Sequence, residues 1–185
     1  MNEEELIKSA QTGDMQAFSQ LVKQYSPVVE RFAIQMGNRV DDIDDITQEV
    51  FIRVYRFIHQ FSQAKFTTWL YKITLNVTRD FARKKTGHLK RILSLQKEPQ
   101  EQPAYTEHFI LRNEQDRKLH ECIQRLDEKY RVPIILYYFH DRKYDEIAEI
   151  LNQNLSTVKT RLLRGKEMLK KQLERMEGKE GESIG

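Results

Sequence analysis

Residues 145–166 read DEIAEILNQNLSTVKTRLLRGK, and this stretch decides the fold class. Its apolar residues recur at helical spacing on both sides of Asn152–Leu155, which predicts two short helices joined by a turn. Ser156 is expected to cap the second helix. An Asn at position 152 or 154 stands where Gly is common, and Asn is the next-best residue for a positive φ. The shared core is expected to consist of Ile147, Leu151, Leu155, Val158 and Leu162, with the small Ala148 allowing close approach.

Such a helix pair is typical of a helix-turn-helix, in which the second helix enters the major groove of DNA. The polar face of the second helix then carries two kinds of contact. Lys159, Thr160, Leu163 and Arg164 are placed to reach base edges, while Arg161 and Lys166 suit phosphates. The alternative is an ordinary helical hairpin whose basic side chains are only solvated.

The composition of the whole chain favours an all-α protein. Its 185 residues include only 7 Gly and 4 Pro, and good helix formers dominate. No run approaches the roughly 20 apolar residues of a membrane span, and the acidic N-terminus is unlike a signal peptide. The single cysteine, Cys122, excludes an intrachain disulfide. We therefore expect a cytoplasmic protein without membrane insertion.

An enzyme is disfavoured by the same inspection. The five histidines show no metal-ligand spacing, and the chain has no Gly-rich phosphate loop and no nucleophile beside a recognisable base. Asp44 and Asp45 are adjacent on a predicted helix and point apart. Neither a catalytic residue nor a cofactor is expected.

Apolar periodicity divides the chain into two small helical domains joined by a flexible linker. We assign residues 1–87 to the first domain, 88–109 to the linker, 110–178 to the second domain and 179–185 to a frayed tail. Glu98–Pro103 has the composition of a mobile connector, and some 20 residues can extend to about 70 Å. Pro27 is expected at a first turn or a kink. The predicted helices cover Leu6–Ala10, Phe18–Met36, Asp41–His59, Thr67–Lys85, Ile110–Leu126, Asp127–Phe139, Tyr144–Leu151 and Ser156 to about Met176.

Charge is segregated along the chain although the net charge is only +3. Residues 65–97 hold nine basic residues and one acidic residue, and residues 156–185 hold eight basic and five acidic residues. The other two stretches, 1–64 and 98–155, are acidic overall. Two separate basic elements suggest two contacts with one polyanion.

The predicted helix Asp41–His59 has a second face besides its apolar stripe. Asp45, Gln48, Glu49 and Ile52 lie together on it at spacings of three, four and seven. Early acids can simply complement the helix dipole, which is an alternative for Asp41 and Asp42 but leaves the apolar residue among the polar ones unexplained. An acidic patch with an aliphatic centre favours a protein-docking face.

The predicted helix Thr67–Lys85 carries a basic face, whereas the preceding helix carries an acidic one. Lys72, Asn76, Arg79 and Arg83 line one face at steps of four, three and four, and Phe61, Phe66, Trp69 and Tyr71 lie at or near its start. Aromatic rings beside a basic face are suited to unpaired bases. Trp69 can equally be a core anchor, and Phe61 and Phe66 can be either, so this pattern alone leaves single-strand contact open.

Four motifs follow one another along the chain: DDITQEVF at 44–51, FTTWLYKI at 66–73, YDEIA at 144–148 and TVKTRLLRG at 157–165. Together they resemble the extracytoplasmic-function (ECF) sigma factors of bacterial RNA polymerase. They occur in the family's order and spacing and together span nearly the whole chain. The resemblance implies a subunit that binds core RNA polymerase and directs it to promoter DNA, commonly restrained by an anti-sigma factor.

The resemblance also implies residue roles. Asp45, Gln48, Glu49 and Ile52 would grip the coiled coil of the largest polymerase subunit. The −10 element would be captured by the loop from Phe61 to Thr68 and the following helix, with Phe61, Phe66, Lys72, Asn76, Arg79 and Arg83 in contact. The −35 element would be read by Lys159, Thr160, Leu163 and Arg164, although the family usually has Arg where Lys159 stands. A stand-alone helix-turn-helix regulator is the rival interpretation, and it leaves the first domain unused.

Overall fold

The computed structural model describes residues 2–62, 65–93 and 114–182, with side chains described as far as 88 and 178 in the last two ranges. Within these ranges every regular element is helical. The chain divides into two compact units, Met1–Thr106 and Glu107–Gly185, here called unit 1 and unit 2. Residues 88–93 of the predicted linker are helical, and the rest of the linker lies outside the described residues. Of the predicted tail, residues 179–182 are helical and not frayed, and residues 183–185 lie outside the described residues.

The described residues of unit 1 form four α-helices: α1 (Glu3–Gln11), α2 (Met15–Gln35), α3 (Val40–Phe57) and α4 (Phe66–Leu93). A 3-10 turn, Ile58–Gln60, follows α3. The two N-terminal helices begin at side-chain caps: Asn2 forms a capping box with Glu5, and Asp14 accepts hydrogen bonds from the amides of Gln16 and Ala17.

The core of unit 1 is built where α2, α3 and α4 pack against one another, with α1 against α2. Each helix buries the stripe that its periodicity predicts. Leu21, Phe32, Ile46, Val50, Val54 and Val77 are wholly buried. At the end of α3 the stripe continues through Ile58, which is buried, and not through Phe57, which is 41% exposed.

One alternative for Pro27 and one helix boundary in unit 1 need correction. Pro27 lies in the middle of α2, which excludes the first turn, and the kink stays a prediction. The predicted end of α4 at Lys85 falls eight residues short of Leu93, because the basic residues after Phe81 are exposed and extend the helix without an apolar stripe to mark it.

Unit 2 contains α5 (Glu114–Gln124), α6 (Glu128–Ile134), α7 (Tyr144–Leu151) and α8 (Leu155–Glu182). A π-helical turn, Ile135–Phe139, continues α6. α8 is the central helix of the unit, since α5, α6 and α7 all pack against it. Its buried side carries Val158, Leu162, Gly165 and Leu169 at steps of four, three and four.

The turn between α7 and α8 explains why the pair forms. Asn152 ends α7 in the left-handed region at φ 51° and ψ 52°, as expected for an Asn that replaces Gly. The predicted cap Ser156 is wrong: the Oδ1 of Asn154 accepts from the Thr157 amide at 2.8 Å and from the Ser156 hydroxyl at 2.9 Å. Leu155 is 42% exposed and so does not join the core, whereas Ile147, Val158 and Leu162 do.

Candidate nucleic-acid and protein-docking interfaces

The exposed face of α8 carries the predicted major-groove contacts. Lys159, Thr160, Leu163, Arg164 and Lys166 are all exposed, and Arg161 is half-buried. Leu163 is 61% exposed, the highest value among the large apolar residues that the structure describes. An apolar side chain held out in water beside cations suits contact with a thymine methyl group. The structure thus brings all six predicted residues onto the side of α8 that faces away from the core or onto its border.

The start of α8 is also the wall of a basic recess of about 340 Å³. Thr160, Arg161 and Arg164 contribute to it, as predicted residues. Lys129 and Tyr130 come from α6, and Ser156 and Thr157 come from the first turn of α8. Hydroxyl groups and cations around one opening suit a phosphate of the DNA backbone. Sequence reasoning missed Lys129, because only the packing of α6 on α8 places it there.

Lys159 is positioned by an aromatic pair. Its Nζ lies 5.9 Å from the centre of the Tyr144 ring, and that ring stacks on Tyr137 at 5.1 Å. A hydrogen bond between the two hydroxyls raises the pKa of Tyr137. The cation–π contact restrains a flexible lysine at the entrance to the recognition face.

The basic face of α4 is the second candidate nucleic-acid surface. Lys72, Asn76 and Arg83 are exposed, and Arg79 is half-buried. The four residues follow one another at the predicted steps of a single helix face. Asp80 and Arg83 form an ion pair in which the Nη2 of Arg83 lies 3.1 Å from the Oδ1 of Asp80.

The aromatic residues at the start of α4 form a cluster, and this corrects one assignment. Phe66 is 3% exposed and packs against Tyr25, Phe61 and Trp69 at ring-centre distances of 5.1 to 5.8 Å. Its ring therefore belongs to the core, and Phe66 is removed from the predicted DNA-contacting set. Phe61 and Trp69 are half-buried, packed against the same core, and keep one accessible side. Gln63 and Ala64 of the predicted loop lie outside the described residues.

Part of the predicted docking face of α3 lines a groove between α2 and α3. The groove has a volume of about 710 Å³, and Gln48 and Ile52 contribute to its wall. Ile52 is 44% exposed, Met15 57% and Tyr55 51%. Sequence reasoning missed Met15 and Tyr55, since their part in the groove depends on how α2 lies on α3. An exposed apolar groove of this kind is typical of a protein-binding site.

The acidic residues near this groove differ in their surroundings. Glu30 lines it together with Asp44, and burial, then the charge of Asp44, raises the pKa of Glu30. Asp45 is exposed, whereas Glu49 is half-buried and accepts a hydrogen bond from Arg53 at 2.7 Å. Neither lines the groove, so the predicted docking face divides into an apolar part and an acidic border.

Two features are absent from the described ranges. No three His, Cys, Asp or Glu side chains within them are grouped to hold a metal ion. None of the helices in those ranges has the length and apolar character needed to cross a membrane.

The fold and these surfaces define a two-unit helical protein with a helix-turn-helix in its second unit. The family described as "Sigma-70 region 2" matches residues 21–87, and the family described as "Sigma-70, region 4" matches residues 116–169. The ECF RNA polymerase sigma factor SigW of Bacillus subtilis (strain 168) is 35% identical over 176 residues, which is 90% of this chain and 94% of the relative. The chain therefore belongs to the ECF family of RNA polymerase sigma factors.

Two further proteins are similar to this chain. The ECF RNA polymerase sigma-E factor of Haemophilus influenzae is 29% identical and covers 94% of this chain and 96% of the relative. The sigma factor RpoE of Bartonella quintana, solved in complex with the anti-sigma factor NepR, is 21% identical with a TM-score of 0.69, covering 86% of this chain and 98% of that one. The latter establishes likeness of fold. Sigma factors are not enzymes in the catalytic sense.

Proposed function

We propose that this chain binds core RNA polymerase through the groove and acidic border of α3, and directs it to promoters by reading a −10 and a −35 element. Unit 1 would act as the region 2 domain and unit 2 as the region 4 domain. The observation that carries the proposal is that unit 1 bears an acidic and apolar surface, which DNA repels, as well as a basic one. A stand-alone regulator has no use for that surface.

Simple energetics explains why a polymerase partner is needed. Opening about ten base pairs costs on the order of 14 kcal/mol, at roughly 1.4 kcal/mol per step. One flipped and stacked base returns only about 1–3 kcal/mol. The basic face of α4, with Phe61 and Trp69 at its start, would therefore trap strands that the polymerase holds open. We further propose that the chain catalyses no reaction, remains in the cytoplasm, and is restrained by an anti-sigma factor.

Transcription with sigma-free core polymerase on a promoter library tests the central proposal. Added chain is expected to produce defined start sites that share two sequence elements. Random initiation at the level of core enzyme alone would refute the proposal. The same library identifies the two elements directly.

The docking assignment has a separate test in Gln48→Ala combined with Glu49→Lys. Because the pair removes a groove residue and reverses a border charge, affinity for core polymerase should fall at least about tenfold, which is 1.4 kcal/mol. Fluorescence titration with labelled polymerase measures it. The matched control is Glu4→Lys, which reverses an exposed charge on α1 away from the groove. Equal affinities for both variants would remove the docking assignment.

Base reading by α8 is tested with Arg164→Ala. If Arg164 contacts a base edge, discrimination between the selected −35 element and single-base variants should fall by about 1–3 kcal/mol at one position. Lys129→Ala is the comparison, since a phosphate contact in the recess should weaken binding to all sequences alike. If Arg164→Ala also weakens all sequences alike, Arg164 touches only phosphate.

A further inference from the structure

Asp80 is the single acidic residue in the basic stretch 65–97. It lies on α4 three residues before Arg83, so the two side chains are neighbours on the helix surface. An acid at the edge of a face that contacts nucleic acid opposes that contact electrostatically. Its presence there calls for a physical role.

Both carboxylate oxygens of Asp80 are engaged by arginines from different helices. The Nη2 of Arg53, on α3, lies 3.0 Å from Oδ2, and the Nη2 of Arg83 lies 3.1 Å from Oδ1. Arg53 in turn donates through Nε to the Oε1 of Glu49 at 2.7 Å. A continuous chain of ion pairs, Glu49–Arg53–Asp80–Arg83, therefore joins the acidic border of α3 to the basic face of α4.

Three of the four side chains are partly shielded from solvent, and the fourth, Arg83 at the nucleic-acid end, is exposed. Arg53 is 29% exposed, Asp80 35% and Glu49 36%, whereas Arg83 is 75% exposed. Arg53 donates hydrogen bonds to Glu49 and to Asp80, and these bonds, the one to Glu49 most, raise the pKa of Arg53. The inner members are thus held more firmly than Arg83, which is the member that can change partner.

We propose that Asp80 is a positioning residue that restrains Arg83 from nucleic acid, and that engagement of Glu49 by a cationic group of the polymerase releases Arg83 through Arg53. The second half rests on the proposed function. A phosphate that binds Arg83 must compete with a carboxylate that already holds the Nη2 of Arg83 in a charge-assisted hydrogen bond. When Glu49 pairs with a cationic group of the polymerase, Arg53 loses one hydrogen-bond acceptor. The planar guanidinium of Arg53 can then donate to both carboxylate oxygens of Asp80. Arg83 then loses its ion pair with Asp80 and is available to bind DNA.

The first test measures binding of fluorescein-labelled oligothymidylate to the full chain, without polymerase, by anisotropy over a range of salt concentrations. Asp80→Asn is expected to bind about three- to tenfold tighter at low salt, with a salt slope steeper by about 0.7 for one added phosphate contact. If the salt slope of Asp80→Asn equals that of the native chain, the proposed restraint of Arg83 by Asp80 is refuted. This holds even if the substitution changes the melting temperature. The proposal is also refuted if neither the native chain nor Asp80→Asn binds the oligonucleotide at low salt.

A double-mutant cycle separates the restraint from the general effect of one lost negative charge. In an Arg83→Gln background, Asp80→Asn should give no gain in affinity, because the residue that it frees is gone. A gain as large as in the native background would show that long-range charge alone acts, and the proposal would fall.

Release through Arg53 is tested with Glu49→Gln in the same assay. This variant should tighten binding several-fold, and the gain should vanish in an Arg53→Gln background. Asp41→Asn is the matched control, since it removes one charge from α3 at a residue paired with Arg39 instead. Equal effects of Glu49→Gln and Asp41→Asn would refute the release. Because no polymerase is present, these results stand apart from the promoter-library test.

Discussion

At the scale of single residues, Gly165 shows how closely unit 2 is packed. A Cβ added there would lie 2.6 Å from the Cδ1 and 3.3 Å from the Cγ1 of Ile134. Ile134 is 1% exposed, so its branched side chain has little room to retreat. The glycine is required for the close approach of α8 to α6, and that approach also brings Lys129 to the basic recess.

We therefore expect Gly165→Ala to destabilise unit 2 although alanine is the better helix former. Overpacking should cost about 1–3 kcal/mol, which outweighs a gain of about 1 kcal/mol in helix propensity. Urea unfolding followed by circular dichroism measures the net loss. Gly178→Ala is the matched control on the same helix, because nothing lies within 4 Å of an added Cβ there. A stability gain in both variants would contradict the packing argument.

At the scale of elements, the start of α8 is decided by Asn154. Its Oδ1 satisfies an amide of the first turn that would otherwise lack a partner. Asn154→Ala should cost about 0.5–2 kcal/mol, whereas Ser156→Ala should cost less, since the Ser156 hydroxyl only donates to Asn154. Thermal unfolding of both variants tests this order. A larger loss for Ser156→Ala would return the capping role to the serine.

The cap also shows where prediction from sequence ends. Helical periodicity identified each helix of the described ranges, because a buried stripe leaves a strong signal. It could not choose between Asn154 and Ser156, since both residue types cap helices well and the two residues lie only two positions apart. The end of α4 was missed for a related reason: exposed basic residues extend a helix without an apolar stripe.

Some surface residues were predicted from the sequence and others were missed. The spacing along one helix can be read from a sequence, whereas the packing of two helices cannot. The polar faces of α4 and α8 each lie on one helix, so their residues follow from spacing alone. The groove beside Ile52 and the recess beside Arg164 each need a second helix, which is why Met15 and Lys129 were missed. Phe66 was misplaced because an aromatic residue at the start of a helix gives no periodicity to separate core from surface.

At the scale of the whole molecule, each unit has its own buried core. Leu21, Val50 and Val77, from three helices, belong to the core of unit 1, and Leu136 and Ile147 are buried in unit 2. The chain has a single tryptophan, Trp69, which lies in unit 1. Tryptophan fluorescence therefore reports the unfolding of unit 1, while circular dichroism reports the helices of both units.

These separate cores predict that a cavity in unit 2 leaves unit 1 unaffected. Leu136 is fully buried, so Leu136→Ala should destabilise unit 2 by about 2–5 kcal/mol. The urea transition seen by circular dichroism should then broaden or split, while the Trp69 transition keeps its midpoint. Leu21→Ala, at an equally buried site in α2, should instead shift the fluorescence midpoint. If Leu136→Ala moves the Trp69 transition as far as Leu21→Ala does, the two units unfold as one.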